Sequence, residues 1–300
     1  MENKTKADQI GIIGAGELGQ ALGHVLEKAG SHVLYYDRDD DRTTTASIRE
    51  VVDACNLLLI CVPSWADREV AKEIAKHLDP QNPPLVISFS KGVEKGFVTI
   101  NQVLAETLPH GTPYGIIYGP MLANELVAHQ MGSGVLALSD VEYGSTVRDI
   151  FAKARVYLEF SGDMQGTAIS GALKNVYAIS FGMCDGLKLG ANARGRLAVM
   201  VLREMKRILK DLGANPETAE SLSGLGDLLT AGTSDNSFNY RLGRSIAERI
   251  ADADVKSEGL STLQELSHVV KLQDYPIAHL LDKLIYHYGD PHEFQQLLEV

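Results

Sequence analysis

The sequence predicts an α/β protein in two parts: a doubly wound, largely parallel sheet over residues 1–162, then an all-helical domain over residues 163–300. Three observations carry this. Continuous apolar runs alternate with amphipathic stretches in the first half, strand patterns all but vanish after Asp163, and 300 residues are comfortable for two cores rather than one.

The elements follow in order. IGIIG is a short apolar strand that runs into Gly14, Gly16 and Gly19, in G-x-G-x-x-G order. A helix follows with Leu18, Leu22, Val25 and Leu26 at helical spacing, and then a second strand, HVLYYD, ending in Asp37. Strand, glycine loop, helix and strand in that succession make a Rossmann-type dinucleotide-binding unit. Gly14 permits the tight turn, Gly16 lets the backbone approach a pyrophosphate, and Gly19 lets helix and strand pack closely. The helix start turns unpaired N–H groups and a positive dipole end toward the phosphates. Asp37, 23 residues beyond Gly14, is placed to accept hydrogen bonds from an adenosine ribose, which favours NAD. Arg38 beside it could take a 2′-phosphate, which keeps NADP open.

Five further strands are expected: NLLLICV (56–62), LVISFS (85–90), YGIIYG (114–119), GVLALS (134–139) and RVYLEF (155–160). Helical stretches such as DREVAKEIAKHL and VTINQVLAETL separate the earlier ones. Ligands of such sheets lie at the carboxyl ends of the strands. Pro63 and Ser64 follow the third strand and Lys91 the fourth, so Lys91 is a cleft candidate on topology, with a solvated loop lysine as the alternative.

In the second half, RLAVMVLREMKRILKDLG sets Leu197, Val201, Met205, Ile208 and Leu212 on one helix face, with Gly213 as the C-cap, and PIAHLLDKLIYHYG forms another helix. GALKNVYAIS (171–180) raises a chemical question, because it places Lys174 in what otherwise reads as a buried helix face. A lone buried ammonium is costly to desolvate, so it must reach water, a carboxylate or a ligand cleft. Its neighbours three and four positions away are Ser170, Gly171, Tyr177 and Ala178, three of them small enough to leave room for a ligand. Asp227, in GLGDLLTAG, would by itself read as a helix cap, yet it is the carboxylate best suited to hold Lys174.

Composition narrows the classes. A net charge of −11 argues against a nucleic-acid or anionic-membrane surface. The N-terminus MENKTKADQ lacks an apolar signal core, and no apolar run approaches the roughly 20 residues of a membrane span, which points to a cytoplasmic protein. Three cysteines without paired spacing and nine scattered histidines give no metal site and no disulfide framework.

Taken together, the motifs resemble those of the NAD(P)-dependent glycerol-3-phosphate dehydrogenases, in order and over most of the chain. GAGELG, with Glu17 and Leu18 among its glycines, is similar to that family's nucleotide loop, VPS (62–64) to its next strand end, and SKGVEKG (90–96) to its first lysine motif. GPMLANEL (119–126) resembles a Gly-Pro segment, GALKNVYAIS with GMCDGLKLGAN the second lysine motif, GLGDLL the aspartate motif, and SEGLST (257–262) a C-terminal glycine segment. The resemblance implies Lys174, Lys91 and Asp227 at the reacting centre. It implies Gly14, Gly16, Glu17, Leu18, Gly19, Asp37, Arg38, Pro63 and Asn239 about an NAD or NADP cofactor, and Asn175 and Asn239 near the substrate. It further implies reversible reduction of dihydroxyacetone phosphate to glycerol 3-phosphate by a homodimer, with Lys174 as general acid.

Two departures stand out. The family places a phosphate-holding arginine immediately before Asn239, where this chain has Phe238, and Ala231 stands where a threonine is common. Between Asp37 and the helix VVDAC the chain is also considerably shorter than the family's. Arg194, Arg196 and Arg241 are candidates for a relocated phosphate grip, each with an exposed helix-terminus arginine as its alternative. Two rival functions are therefore the same hydride chemistry on another small, polar or phosphorylated ketone, and a catalytically silent NAD sensor. Retention of Lys91, Lys174 and Asp227 argues against the second.

Overall fold

A computed structural model describes residues 9–250, 255–287 and 289–299. The chain divides into two compact units: one of the residues up to Lys91 together with Ile100–Met164, the other of Gly92–Thr99 with the residues from Gln165 onward.

The strands in chain order are β1 (Gln9–Ile13), β2 (His32–Tyr36), β3 (Leu57–Ile60), β4 (Leu85–Ser88), β5 (Val93–Glu94), β6 (Val98–Thr99), β7 (Tyr114–Tyr118), β8 (Gly132–Leu138) and β9 (Val156–Phe160). In the first unit, all seven strands expected from the apolar runs join one sheet in the order β2-β1-β3-β4-β7-β8-β9. Five of its pairings are parallel and β7 with β8 is antiparallel, which matches a largely parallel, doubly wound sheet. The central strands read as continuous apolar runs because both faces are covered: Leu58, Leu59 and Ile60 are fully buried, as are Val86 and Ile87 beside them.

The shortened segment after β2 has a local use. β2 is an edge strand, and its outward backbone groups at Tyr35 need partners. Thr43 and Thr45 donate their hydroxyls to Tyr35 O at 2.9 and 3.0 Å, and Tyr35 N–H donates to the Thr44 hydroxyl at 2.9 Å. Three consecutive threonines thus cover the edge, with one short 3-10 turn, Asp40–Arg42, before the helix Ile48–Ala54.

The hairpin of β5 and β6 lies within the range 1–162 read from sequence as one domain, yet it groups with the helical unit. Val93 and Phe97 are buried in the same core as Ile169, Leu173 and Val176, and Gly96 N–H donates to Glu265 at 2.7 Å. Apolar burial therefore decides where this hairpin belongs.

The second unit is built around the helix Met164–Gly186. Every residue from Gly166 to Cys184 on it is buried except Lys174, so the helix is enclosed on all sides. Leu197, Val201, Met205 and Ile208 of the helix Gly190–Asp211 are fully buried, and Gly213 ends that segment at φ +78°. Glu204 of the same helix accepts hydrogen bonds from Ile277 N–H (3.0 Å), Ala278 N–H (2.8 Å) and the Tyr177 hydroxyl (2.9 Å), satisfying the start of the helix Pro276–Tyr286. Among the described residues no helix is long and apolar enough to cross a membrane.

Candidate active site

Two constellations stand out, one in each unit. In the first, β1 turns at Gly14, whose φ of +100° suits glycine and where a Cβ would lie 2.7 Å from Cys61 O. The helix Glu17–Lys28 packs so closely on this turn that a Cβ at Gly19 would approach Gly14 O to 2.0 Å. Gly16 is different: it is the N-cap, no side chain caps the helix, and a Cβ there would meet nothing within 4 Å. The first N–H groups of the helix, at Glu17 and Leu18, therefore border open space with no intrahelical partner. This cradle fits a dinucleotide pyrophosphate.

Asp37 follows β2 and faces the loop. Its Oδ2 accepts from Ala15 N–H at 2.6 Å and its Oδ1 from Asp39 N–H at 3.0 Å, which fixes the carboxylate beside the glycines with lone pairs to spare for ribose hydroxyls. Arg38 turns instead to Glu69, with Nη2 to Oε2 at 2.8 Å. Pro63 is exposed and opens the turn Ser64–Ala66 that follows β3, the strand beside β1. Lys91 stands at the carboxyl end of β4, as topology required. Its Nζ donates to Gly119 O at 3.1 Å and sits 5.9 Å from the centre of the Tyr118 ring, while the Tyr118 hydroxyl donates to Ser90 O. The carbonyl and the ring face both help to aim the ammonium.

In the second unit the structure answers the question Lys174 posed. Its Nζ lies 3.5 Å from Asp227 Oδ1, with the two side chains only 12% and 5% exposed. Asp227 opens the helix Asp227–Gly232 directly after a π-helical turn, Leu222–Gly226, an irregularity frequent at functional sites. Asn175, the next residue, donates from Nδ2 to Glu258 at 3.2 Å, and Asn239 Nδ2 donates to Asn175 Oδ1 at 3.2 Å. Glu258 begins the helix Glu258–Val269, whose close approach depends on Gly259: a Cβ there would lie 2.6 Å from Asn175 O and 2.7 Å from Asn239 Oδ1. In this apolar unit Asn175, Asn239 and Glu258 are thus linked by hydrogen bonds, and Asn175 directly follows Lys174 of the Lys174–Asp227 pair; Asn175, Asp227 and Asn239 are buried, Lys174 and Glu258 partly so. Sequence reasoning missed Glu258. Its position beside Gly259, just after the capping Ser257 in SEGLST, was the available signal.

The candidate cations separate. Arg194 donates to Asp185 at 2.5 Å, and Asp185 also accepts from the Tyr240 hydroxyl at 2.6 Å. Asp185 lies 11 residues beyond Lys174 on one helix, or roughly 16 Å along its axis. Arg194 is therefore not beside Lys174. Arg196 is exposed near the start of its helix. Phe238 and Arg241, by contrast, share the helix Phe238–Ala247 with Asn239. The Phe238 ring is 46% exposed and the Arg241 guanidinium lies 5.9 Å from its centre, while Arg241 Nη1 donates to Asp235 O at 2.5 Å. Ala231 is buried.

Comparisons with known proteins cover both units. Residues 39–143 match the NAD-dependent glycerol-3-phosphate dehydrogenase N-terminus and residues 163–296 the C-terminus of the same family; residues 1–71 also match the NAD-binding domain of D-isomer-specific 2-hydroxyacid dehydrogenases. The chain is 30% identical to the glycerol-3-phosphate dehydrogenase [NAD(P)+] of Teredinibacter turnerae over 291 residues, covering 87% of this chain and 84% of that one. It is 30% identical to the protein of the same name from Nitratidesulfovibrio vulgaris strain DP4, covering 97% of each. Among solved structures, the glycerol-3-phosphate dehydrogenase of Coxiella burnetii superposes with a TM-score of 0.86 at 27% identity, covering 99% of this chain and 100% of that one.

Proposed function

Because the chain belongs to the NAD-dependent glycerol-3-phosphate dehydrogenase family, we propose that it is an oxidoreductase interconverting dihydroxyacetone phosphate and glycerol 3-phosphate with NAD(P). The observation that carries the reading to chemistry is the buried Lys174–Asp227 pair at 3.5 Å. Bound NAD(P)H supplies the hydride. Lys174 supplies the proton: as negative charge builds on the substrate carbonyl oxygen, its ammonium stabilises that charge and passes a proton from Nζ to the oxygen, leaving a neutral amine. In the oxidative direction the amine takes the hydroxyl proton back. Asp227 holds the ammonium in place. A positioned acid of this kind contributes a factor of about 10² to 10⁴.

The remaining roles follow the geometry. Gly14, Gly16, Glu17, Leu18 and Gly19 hold the dinucleotide phosphates through backbone N–H groups, Asp37 takes the ribose hydroxyls, and Pro63 lines the same end of the sheet. Lys91 positions the substrate or shares the electrostatic work, and Asn175 and Asn239 orient substrate and cofactor. For the substrate phosphate, Arg241 is favoured over Arg194. It stacks on Phe238, which fills the place of the family's arginine, whereas Arg194 is committed to Asp185. A homodimer and a cytoplasmic setting complete the reading, and sedimentation of the purified protein tests the former.

Purified protein should oxidise NADH with dihydroxyacetone phosphate and much less well with phosphate-free dihydroxyacetone. Arg241→Ala should raise the KM for the phosphorylated substrate by about 10-fold or more. No turnover with dihydroxyacetone phosphate, alongside turnover of an unphosphorylated ketone, would move the substrate assignment to that other carbonyl.

A further inference from the structure

The family's curated relatives are named for both NAD and NADP, yet the adenosine end of this chain's glycine loop is not neutral between them. We infer that Glu69 is a cofactor-specificity residue: by engaging Arg38 it withholds the cation that a 2′-phosphate would need, so the chain selects NAD(H) over NADP(H). The inference rests on the dinucleotide site proposed above and goes beyond it in naming the residue that discriminates.

Topology places the pair where it matters. In the order β2-β1-β3, the glycine loop ends the middle strand, Arg38 follows β2 on one side, and Glu69 lies in the first turn of the helix Asp67–Ala75 that follows β3 on the other. The 2.8 Å bridge from Arg38 Nη2 to Glu69 Oε2 therefore spans the carboxyl ends of the two strands that flank the loop. Asp37, one residue from Arg38, is anchored to Ala15 N–H within the loop, so Arg38 starts beside the point where an adenosine ribose would be held. The other arginine of the segment DRDDDR, Arg42, is paired with Asp39 at 3.2 Å.

Charge decides the outcome. A 2′-phosphate gains a strong, charge-assisted contact only if a guanidinium turns to it, and here that guanidinium already has a carboxylate partner. The phosphate must either displace Glu69, leaving an unpaired anion beside a second one, or accept a shared cation within a run that carries four aspartates. Both Arg38 and Glu69 are 73% exposed, so the bridge itself adds little to stability. That exposure makes the pair a selective element rather than a structural one. Removing the carboxylate should free the cation without disturbing the fold.

The test is direct binding of NADH and NADPH, followed by nicotinamide fluorescence, to the wild type, Glu69→Gln, Glu69→Asp and the double variant Arg38→Ala/Glu69→Gln. The wild type is expected to bind NADH more tightly. Glu69→Gln should lower the NADPH-to-NADH ratio of Kd values by about 2- to 5-fold. Glu69→Asp, which keeps the charge, should preserve most of the original ratio, and the double variant should lose the gain. Higher salt should shrink the difference between wild type and Glu69→Gln, because both contacts are exposed. A ratio changed less than about 2-fold by Glu69→Gln, or a gain that survives loss of Arg38, overturns the inference while the dinucleotide site stands. Failure of the wild type to bind either nucleotide overturns both. Because binding is read without the ketone substrate, an error in the substrate assignment leaves this result unaffected.

Discussion

Replacing Asp227 by asparagine keeps the shape of the side chain and removes its charge, and the structure sets the size of the effect. Two unit charges 3.5 Å apart at an effective dielectric of about 20 attract by roughly 5 kcal/mol. Desolvation of both groups offsets part of this, but breaking a buried pair strands the other charge, at a typical cost of about 3–5 kcal/mol. Asparagine can still offer its carbonyl to Lys174, so the lower figure applies. A loss of about 3 kcal/mol in the helical unit should lower its unfolding midpoint by on the order of 10 °C. Turnover with dihydroxyacetone phosphate should fall at least about 10²-fold, because the ammonium loses both its anchor and its counter-charge. The informative comparison is Lys174→Met/Asp227→Leu. Replacing a buried ion pair with apolar side chains of similar volume is often neutral, so the double variant should recover most of the lost stability and none of the lost turnover. Thermal unfolding by circular dichroism and steady-state NADH oxidation measure the two quantities separately. Turnover within about 3-fold of wild type in Asp227→Asn would refute the reasoning, as would unchanged stability.

Three further perturbations probe other parts of the account. Gly259→Ala adds a methyl that must meet backbone at 2.6 Å; although alanine is the better helix former by about 1 kcal/mol, the clash should win and lower stability by about 1–3 kcal/mol with a raised substrate KM. A more stable variant would show that the helix can shift freely. Burial pushes the Glu204 carboxyl above the ordinary carboxylate range, against the opposing pull of Ile277 and Ala278 N–H, the Tyr177 hydroxyl and Arg207. The folded state therefore binds this proton more tightly than the unfolded chain, and Glu204 stabilises most below the unfolded value of about 4.3 and loses that contribution as pH rises through its raised folded value. Urea unfolding of wild type and Glu204→Gln across pH 4–7 should show the difference moving against the wild type as pH rises, and a flat or opposite trend would contradict the assignment. Asp37→Ala should weaken NADH binding more than NADPH binding, since only the unphosphorylated ribose offers both hydroxyls to the carboxylate; an equal loss for both would remove Asp37 from the discrimination.

Much of this was legible because the chemistry is local. Gly14, Gly16 and Gly19 announce their turn through spacing, and the apolar runs from LLLI to GVLAL announce strands buried on both faces. The pairing of Lys174 with Asp227 could be anticipated from an energetic demand: a lysine on a buried helix face must reach water, a carboxylate or a ligand cleft, and Asp227 is the carboxylate best suited to hold it. Other features depend on contacts that spacing does not encode. Nothing in YGIIY and GSGVLAL fixes their relative direction, so the antiparallel pairing of β7 with β8 was not visible. β5 and β6 are two residues each, too short to show a period, and their assignment to the helical unit comes from Val93 and Phe97 burying there. Arg194 finds Asp185 across the turn between two helices, an attraction between side chains on separate elements, and the sequence offers Arg241 equal standing until the fold separates them.

The central claim is that Lys174 delivers the proton, and the measurement that bears on it most directly is NADH oxidation by Lys174→Met with saturating dihydroxyacetone phosphate, set beside NADH affinity by fluorescence. The account predicts a kcat at least about 10²-fold below wild type with NADH affinity changed less than about 2-fold. A kcat near that of wild type would contradict it and transfer the proton to another group.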